Sequence, residues 1–281
     1  MLNNLYTPAV VRAGGTADDV SAPAPRAARE GRRSDEFRPM SMSVGAVKHA
    51  AGSAYVEIGG TKVVASVFGP RALGHGNEYS DEGVLSCDFK FAPFATAAAR
   101  RERGQAQDEQ DLSQRLREAL TASVQLDKLP KLELDLFVLV VEADGGQLSA
   151  AIVAGSLALA DAGIACYDLV ASCGAAVAGA EGEGAGADGG GAGAAKRGAA
   201  TVLLDPTAEE AAHRPALALA MMPALQQVTS FVQQGPAHTA APFEAMDLCT
   251  KGCGSVHAVM QRCLVDAARA KHALGGAAPS T

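Results

Sequence analysis

The residues that decide the fold read LELDLFVLVVEADGGQLSAAIVAGSLALADAG, from Leu132 to Gly163. Leu132, Leu134 and Leu136 alternate with Glu133 and Asp135, and the run then becomes almost wholly apolar as far as Glu142. That pattern predicts a strand buried on both faces. Asp144-Gly145-Gly146 breaks the run, because glycine turns at no steric cost. From Ala150 to Ala162 the chain is a helix of small residues, with Gly163 placed to end it. Side chains this small let a helix lie very close to a sheet. A strand, a glycine turn and a close-packed helix predict a mixed α/β core.

Working outward, Ser53–Ile58 and Thr61–Phe68 are β-branched and aromatic runs joined by Gly59-Gly60. A Gly-Gly pair between two such runs predicts a hairpin with positive φ at both glycines. Val84–Phe91 reads as a further strand that Pro93 stops. Leu112, Leu116, Leu120 and Val124 then fall at four-residue steps, one face of a helix. Glu109 and Asp111 suit the positive end of its dipole, and Pro130 follows its end. Beyond the central unit, Tyr167–Val177 and Ala200–Leu204 are strand candidates. Leu217–Met222 and Gln226–Val232 form a hairpin around Pro223, and Phe243 to about Lys271 is the last helix.

Three segments carry no period. Residues 1–37 combine small residues, Pro and scattered charge, and are expected to be a disordered leader. Residues 179–200 are Gly/Ala-rich and are expected to form a flexible insertion, since such residues bury too little surface to offset ordering entropy. Residues 273–281 form a tail of the same kind, which leaves 38–272 as one domain. The longest nearly uncharged apolar run, Leu148–Ala160, falls short of the ~18–20 residues that span a bilayer, so no membrane association is expected.

The leader has no basic region followed by an apolar one, so it does not read as secretory. Its Arg12, Arg26, Arg29, Arg32 and Arg33 have the flavour of an organelle transit peptide. Asp18, Asp19, Glu30, Asp35 and Glu36 argue against that, because transit peptides are acid-poor. With 6 Cys and no secretory signal, reduced thiols in the nucleus and cytoplasm are expected. The 281 residues carry a net charge of -7. Bulk charge of that sign does not hold nucleic acid. Contact with RNA would have to come from a local basic strip or from a partner chain.

Specific residues then resemble a known family. Arg38-Pro39 and Ala51–Val63 are similar to the opening signature of RNase PH-type proteins. Asp111–Leu120 resembles that family's first long helix. Glu142–Gly146 with the small-residue helix resembles its central strand-to-helix turn, and Leu203–Glu210 resembles its D-L-N-Y-x-E-D segment. The four blocks occur in the family's order and cover roughly residues 38–271. The resemblance implies a duplicated β-α-β-α core of the ribosomal protein S5 domain 2 kind, assembled as one subunit of a six-membered ring. It implies phosphate-dependent trimming of RNA from the 3' end in active members. That chemistry needs phosphate held by cations and backbone N–H groups, and a leaving oxygen supported by carboxylates or a metal.

Position by position, the chain departs from the active pattern. Active members carry G-G-T-R-T-A where this chain has Gly145-Gly146-Gln147-Leu148-Ser149-Ala150. The phosphate arginine is therefore Leu148. A second arginine position, before the first long helix, falls on Gln107 and Asp108. Asp205 keeps the first acidic position of the later segment, and the second falls on Ala211. The resemblance thus implies a catalytically silent subunit with no catalytic residue, no cofactor and no metal. It points to the non-catalytic ring subunits of the eukaryotic RNA exosome, and to one subunit type in particular through Cys87–Phe94 and Leu203–Glu210. The implied partners are other RNase PH-like ring subunits, RNA-binding cap subunits and RNA threaded through the assembled channel. Nucleus, nucleolus and cytoplasm are the implied compartments. The rival readings are an active phosphorolytic exoribonuclease and an organellar homologue.

One basic strip is present: Lys90, Arg100, Arg101 and Arg103, interrupted by Glu102. A charge run is usually a solvated face. In related rings this region is placed toward the channel, which makes these residues the candidate RNA-backbone contacts. Cys249, Cys253 and His257 lie at four-residue steps on one helix face, with Cys263 beyond. The expectation is packed thiols and a surface His rather than a zinc site, since no fourth ligand announces itself. Ser149 has no evident His partner, and His75 reads as a solvated loop residue.

Overall fold

The computed structural model describes residues 32–72, 82–95, 106–178, 201–212, 214–235 and 241–275. In chain order the elements are β1 (Met40–Val44), β2 (Gly52–Ile58), β3 (Thr61–Ala72), β4 (Val84–Phe91), α1 (Ala106–Thr121), β5 (Leu132–Glu142), α2 (Gln147–Asp161), β6 (Ala171–Ala178), β7 (Thr201–Leu204), α3 (Ala208–Ala211), β8 (Ala216–Met222), β9 (Gln227–Gln234) and α4 (Ala241–Gly275). They build two sheets, ordered β1-β2-β3-β5-β4 and β7-β6-β8-β9. Only β4 and β5 pair in parallel, because α1 supplies the long crossover that parallel neighbours require.

The small-residue helix α2 lies between the sheets, against β2 and β3 on one side and β6 on the other. Eleven of its residues, from Ser149 to Leu159, are buried. At Gly155 an added Cβ would lie 2.8 Å from Leu120 Cδ1 and 3.1 Å from Leu136 Cδ2. The absent side chain is what lets α2 settle against α1 and β5. Ile152, Leu157 and Leu159 fill the remaining space at or near full burial, each contributing roughly 1.5–3 kcal/mol of transfer free energy. Helix α4 covers the second sheet and reaches β1.

The β2–β3 hairpin, β4 and β5 stand where the sequence places them, and the β8–β9 hairpin turns at Pro223. Several details differ. Only Gly59 of the hairpin pair takes a left-handed φ, +56°. Gly60 is required by proximity, since a Cβ there would sit 2.8 Å from Asp144 Oδ2. Strand β5 is not buried on both faces throughout: Leu134, Leu136, Val138 and Val140 enter the core, while Phe137 and Leu139 on the other face are exposed. A wholly apolar run does not reveal which face is covered. The strand expected from Tyr167 begins at Ala171, and β1, short and rich in Met and Ser, has no sequence signal comparable to its neighbours.

The leader boundary also moves. Phe37 is 4% exposed and belongs to the main hydrophobic cluster, where its ring would be 2.9 Å from a Cβ at Gly252. Arg32 donates to Glu210 Oε2 at 3.1 Å. The packed chain therefore includes residues 32–37, because one aromatic side chain and one ion pair anchor a stretch whose average composition looks unstructured. Residues 1–31, the insertion at 179–200 and the last residues of the tail lie outside the described residues.

Candidate functional site

The turn that follows β5 is fastened from three sides. Thr61, fully buried at the start of β3, donates its hydroxyl to the Gly145 carbonyl at 2.7 Å and accepts from the Asp144 N–H at 3.0 Å. Gly145 takes φ +85°, and a Cβ there would lie 2.6 Å from the Pro206 carbonyl. Only glycine lets the turn come this close to the chain ahead of α3. Gly146, at φ +65°, is the N-cap of α2 and supplies no side-chain cap.

The third fastening is Arg38. Its Nε donates to Asp205 Oδ2 at 2.9 Å and its Nη2 to Asp205 Oδ1 at 2.7 Å, a bidentate pair. The Arg38 backbone N–H adds a bond to the same Oδ2 at 3.0 Å. Nη1 and Nη2 reach on to the carbonyls of Asp144 and Gly145. Both residues are buried. Burial alone would lower the Arg38 pKa, but the bond to Asp205 and the charges of Asp205, Asp144 and Glu210 outweigh it, and the net direction is upward. Helix α3 closes the arrangement with a capping box between Thr207 and Glu210.

Beside this turn opens a cavity of about 350 Å³. Its floor is the first turn of α2, and its walls come from α1, the α3 segment and strands β8 and β9. Leu148 and Ala211 both line it, as do Gln147, Ser149 and Arg115. No carboxylate is among the lining residues, and Arg115 is the one cation among them. Asp205 stands behind Gly146, where a Cβ would be 3.6 Å from its Oδ1. Its oxygens face Arg38, not the cavity. Asp108, in the first turn of α1, is exposed and does not line the cavity.

Of the basic strip, Lys90 alone falls among the described residues; Arg100, Arg101 and Arg103 lie outside them. Lys90 is exposed on β4 with its ammonium on Asp88, 2.5 Å away. The thiols of Cys173, Cys249, Cys253 and Cys263 are buried. Desolvation pushes Cys166 up to about 11 and Cys87 up to about 12. His257 is not the surface residue that its spacing suggests. It is 8% exposed, with Nε2 3.2 Å from Asp168 Oδ1. Asp168 Oδ2 in turn accepts from the Ala224 N–H. The pair ties α4 to the segment before β6 and to the β8–β9 turn. Among the described residues no group of three or more His, Cys, Asp or Glu could hold a metal. Among the described residues Ser149 has no His partner, and His75 lies outside them.

Leu148 and Ala211, singled out in the sequence, both line the cavity, whereas the Arg38–Asp205 clamp was not anticipated. The two residues are 167 positions apart. The one available signal was Arg38-Pro39 itself, part of the opening signature on which the family resemblance rests.

Residues 36–165 match the family described as 3' exoribonuclease family, domain 1. The mouse exosome complex component MTR3 is 36% identical over 94% of this chain and 92% of its own length. MTR3 is the ring-subunit type to which the resemblance of Cys87–Phe94 and Leu203–Glu210 points. The exosome complex component RRP41-like of Arabidopsis thaliana is 34% identical over 86% of this chain and 85% of its own length. Among solved structures, the Archaeoglobus fulgidus exosome with RNA bound to the active site superposes with a TM-score of 0.64, at 20% identity, over 79% of this chain and 88% of the other. At that identity the superposition speaks for the fold.

Proposed function

This chain belongs to the RNase PH family of 3' exoribonucleases, in its exosome branch, and on that premise we propose that it is a non-catalytic scaffold of the ring. As an exosome ring subunit it works beside other RNase PH-like subunits in the processing and degradation of RNA. The finer assignment, that it does no chemistry itself, rests on the clamp. Phosphoryl transfer is accelerated almost entirely by charge placed around the phosphate and the leaving oxygen. Here the acidic residue that the resemblance retains, Asp205, is spent on Arg38. The cavity wall offers Leu148 and Ala211 where charge would be needed. No carboxylate on the lining could hold a metal, and Arg115 is the one cation there.

The same reading makes Lys90, Arg100, Arg101 and Arg103 contacts for the RNA backbone in the assembled channel. They would hold position without reading sequence. It places the chain in the nucleus, the nucleolus and the cytoplasm. Affinity purification of the full chain tests the ring assignment. Co-purification of RNase PH-like subunits and small RNA-binding cap subunits is the expected result. A chain recovered alone, or with an organellar set of proteins, would contradict it.

A further inference from the structure

The cavity beside the β5–α2 turn is lined by polar groups to which the fold gives no partner. Arg115, on α1, is half-buried there. The other buried or half-buried arginines are engaged: Arg32 and Arg38 hold carboxylates, and Arg214 holds the Glu210 carbonyl. The Arg115 guanidinium makes no hydrogen bond or ion pair among the described residues. Ser149, in the first turn of α2, is 6% exposed, and among the described residues its hydroxyl makes no hydrogen bond either. Its Oγ faces the cavity, 3.8 Å from where a Cβ would stand at Gly174, another residue of the lining. Buried hydroxyls in native folds are as a rule hydrogen-bonded, so this one calls for a partner in the cavity.

The backbone adds donors of the same kind. In α2 the Ala150 N–H bonds back to the Gly146 carbonyl at 3.0 Å, and the three N–H groups before it, of Gln147, Leu148 and Ser149, have no partner within the helix. Gly146 supplies no side-chain cap, and the first turn holds no acid to offset the positive end of the dipole. Beyond Gln147 and Gln234, the remaining side chains of the lining are apolar, Leu112, Leu148, Leu217 and Val232 among them. A few polar groups on an apolar wall, around about 350 Å³, is how sites for small organic molecules are built.

We propose that this cavity binds a small organic monocarboxylate, its head group on Arg115 and Ser149 at the N-terminus of α2 and its apolar body against Leu112, Leu148 and Leu217. A guanidinium pairs with a carboxylate through two parallel N–H bonds, and one cation balances one negative charge. RNA does not fit, because a polyanion calls for several cations and the lining has one. Inorganic phosphate fits no better. It is polar all round, and half of its surface would lie against leucine and alanine, where it makes no hydrogen bond. The proposal concerns binding alone, requires no reaction in the cavity and stands apart from the ring assignment.

The test is a ligand-observed magnetic resonance titration of the full chain with hexanoate, its neutral counterpart hexanamide, and inorganic phosphate as competitor. Hexanoate is expected to bind at millimolar concentration or below, and hexanamide at least tenfold more weakly. Equimolar phosphate is expected to displace little of the hexanoate. Arg115→Gln should weaken hexanoate binding at least tenfold and Ser149→Ala severalfold. Arg117→Gln removes an exposed cation from the same helix and should change nothing. Should Ser149→Ala disturb the buried turn, the half-buried Arg115 still decides. No binding of millimolar hexanoate, equal binding of acid and amide, or equal losses at Arg115 and Arg117 would each overturn the proposal. Displacement of hexanoate by equimolar phosphate would overturn it as well and assign the cavity to an inorganic anion. The ring assignment is untouched by any of these results.

Discussion

At the scale of single residues, the Arg38–Asp205 pair carries the most. Truncating one member of a buried ion pair leaves the other charge without compensation, a loss of about 3–5 kcal/mol. Asp205→Ala is therefore expected to lower the unfolding free energy in urea by that amount, because Arg38 stays buried among carbonyls. A loss under 1 kcal/mol would mean that solvent reaches the pair. The thiols give a second prediction. Burial raises Cys166 from 9.0 to about 11, so its reactive thiolate at pH 8 is about a hundredfold scarcer than for a thiol without that shift. A chromogenic disulfide reagent at pH 8 is expected to modify Cys166 slowly in the native chain and rapidly in denaturant. Fast native labelling of Cys166 would show it exposed. At this scale the sequence reveals substitutions and conceals partners. Leu148 and Ala211 were legible because a missing charge is visible in the letters. Asp205's partner and His257's were not, since nothing local announces a contact made 167 or 89 residues away.

At the scale of elements, periodicity and punctuation carried most of the information. The limits of β4 and β5 coincide with the strands read from the sequence, and Gly163, at φ +73°, lies just past the end of α2. What the pattern missed is what depends on neighbours. Phe137 and Leu139 read as core and stand exposed, because among the described residues no layer covers them on β5's second face. Strand β1 escaped notice because its Met and Ser residues gain their strand character only by pairing with β2. The closeness of α2 to β2 yields a sharp test. A Cβ at Gly52 would lie 2.2 Å from the Ala162 backbone nitrogen and 2.3 Å from the Ala158 carbonyl oxygen. Backbone cannot move aside as a side chain can, so Gly52→Ala is expected to cost about 3 kcal/mol, the upper end of overpacking. Gly174→Ala is the control, since its nearest contact would be 3.7 Å. Similar stabilities for the two variants would refute the close packing of α2 on β2.

At the scale of the whole molecule, a chain of net charge -7 is asked to help an RNA channel, so its contribution has to be local and to depend on the ring. Replacing Arg100, Arg101 and Arg103 with Glu is expected to weaken RNA binding by the ring and to leave assembly intact. Each lost contact should reduce the salt slope by about 0.7. An unchanged slope would return the strip to the solvated surface. The insertion of residues 179–200 joins β6 to β7, whose last and first residues, Ala178 and Thr201, are ladder partners. Deleting residues 182–195 shortens a loop whose ends are already together, and closure entropy varies slowly with length. Its melting temperature is expected to change by only a few degrees, and a fall of ten or more would show that the insertion packs. The central claim is that the clamp and a cavity without carboxylates leave a scaffold without chemistry. It is tested most directly by incubating the pure chain with single-stranded RNA, phosphate and magnesium and measuring released nucleoside diphosphates. No release above a protein-free control is the predicted result. Sustained phosphate-dependent release, in a preparation shown free of bacterial phosphorylase, would contradict it.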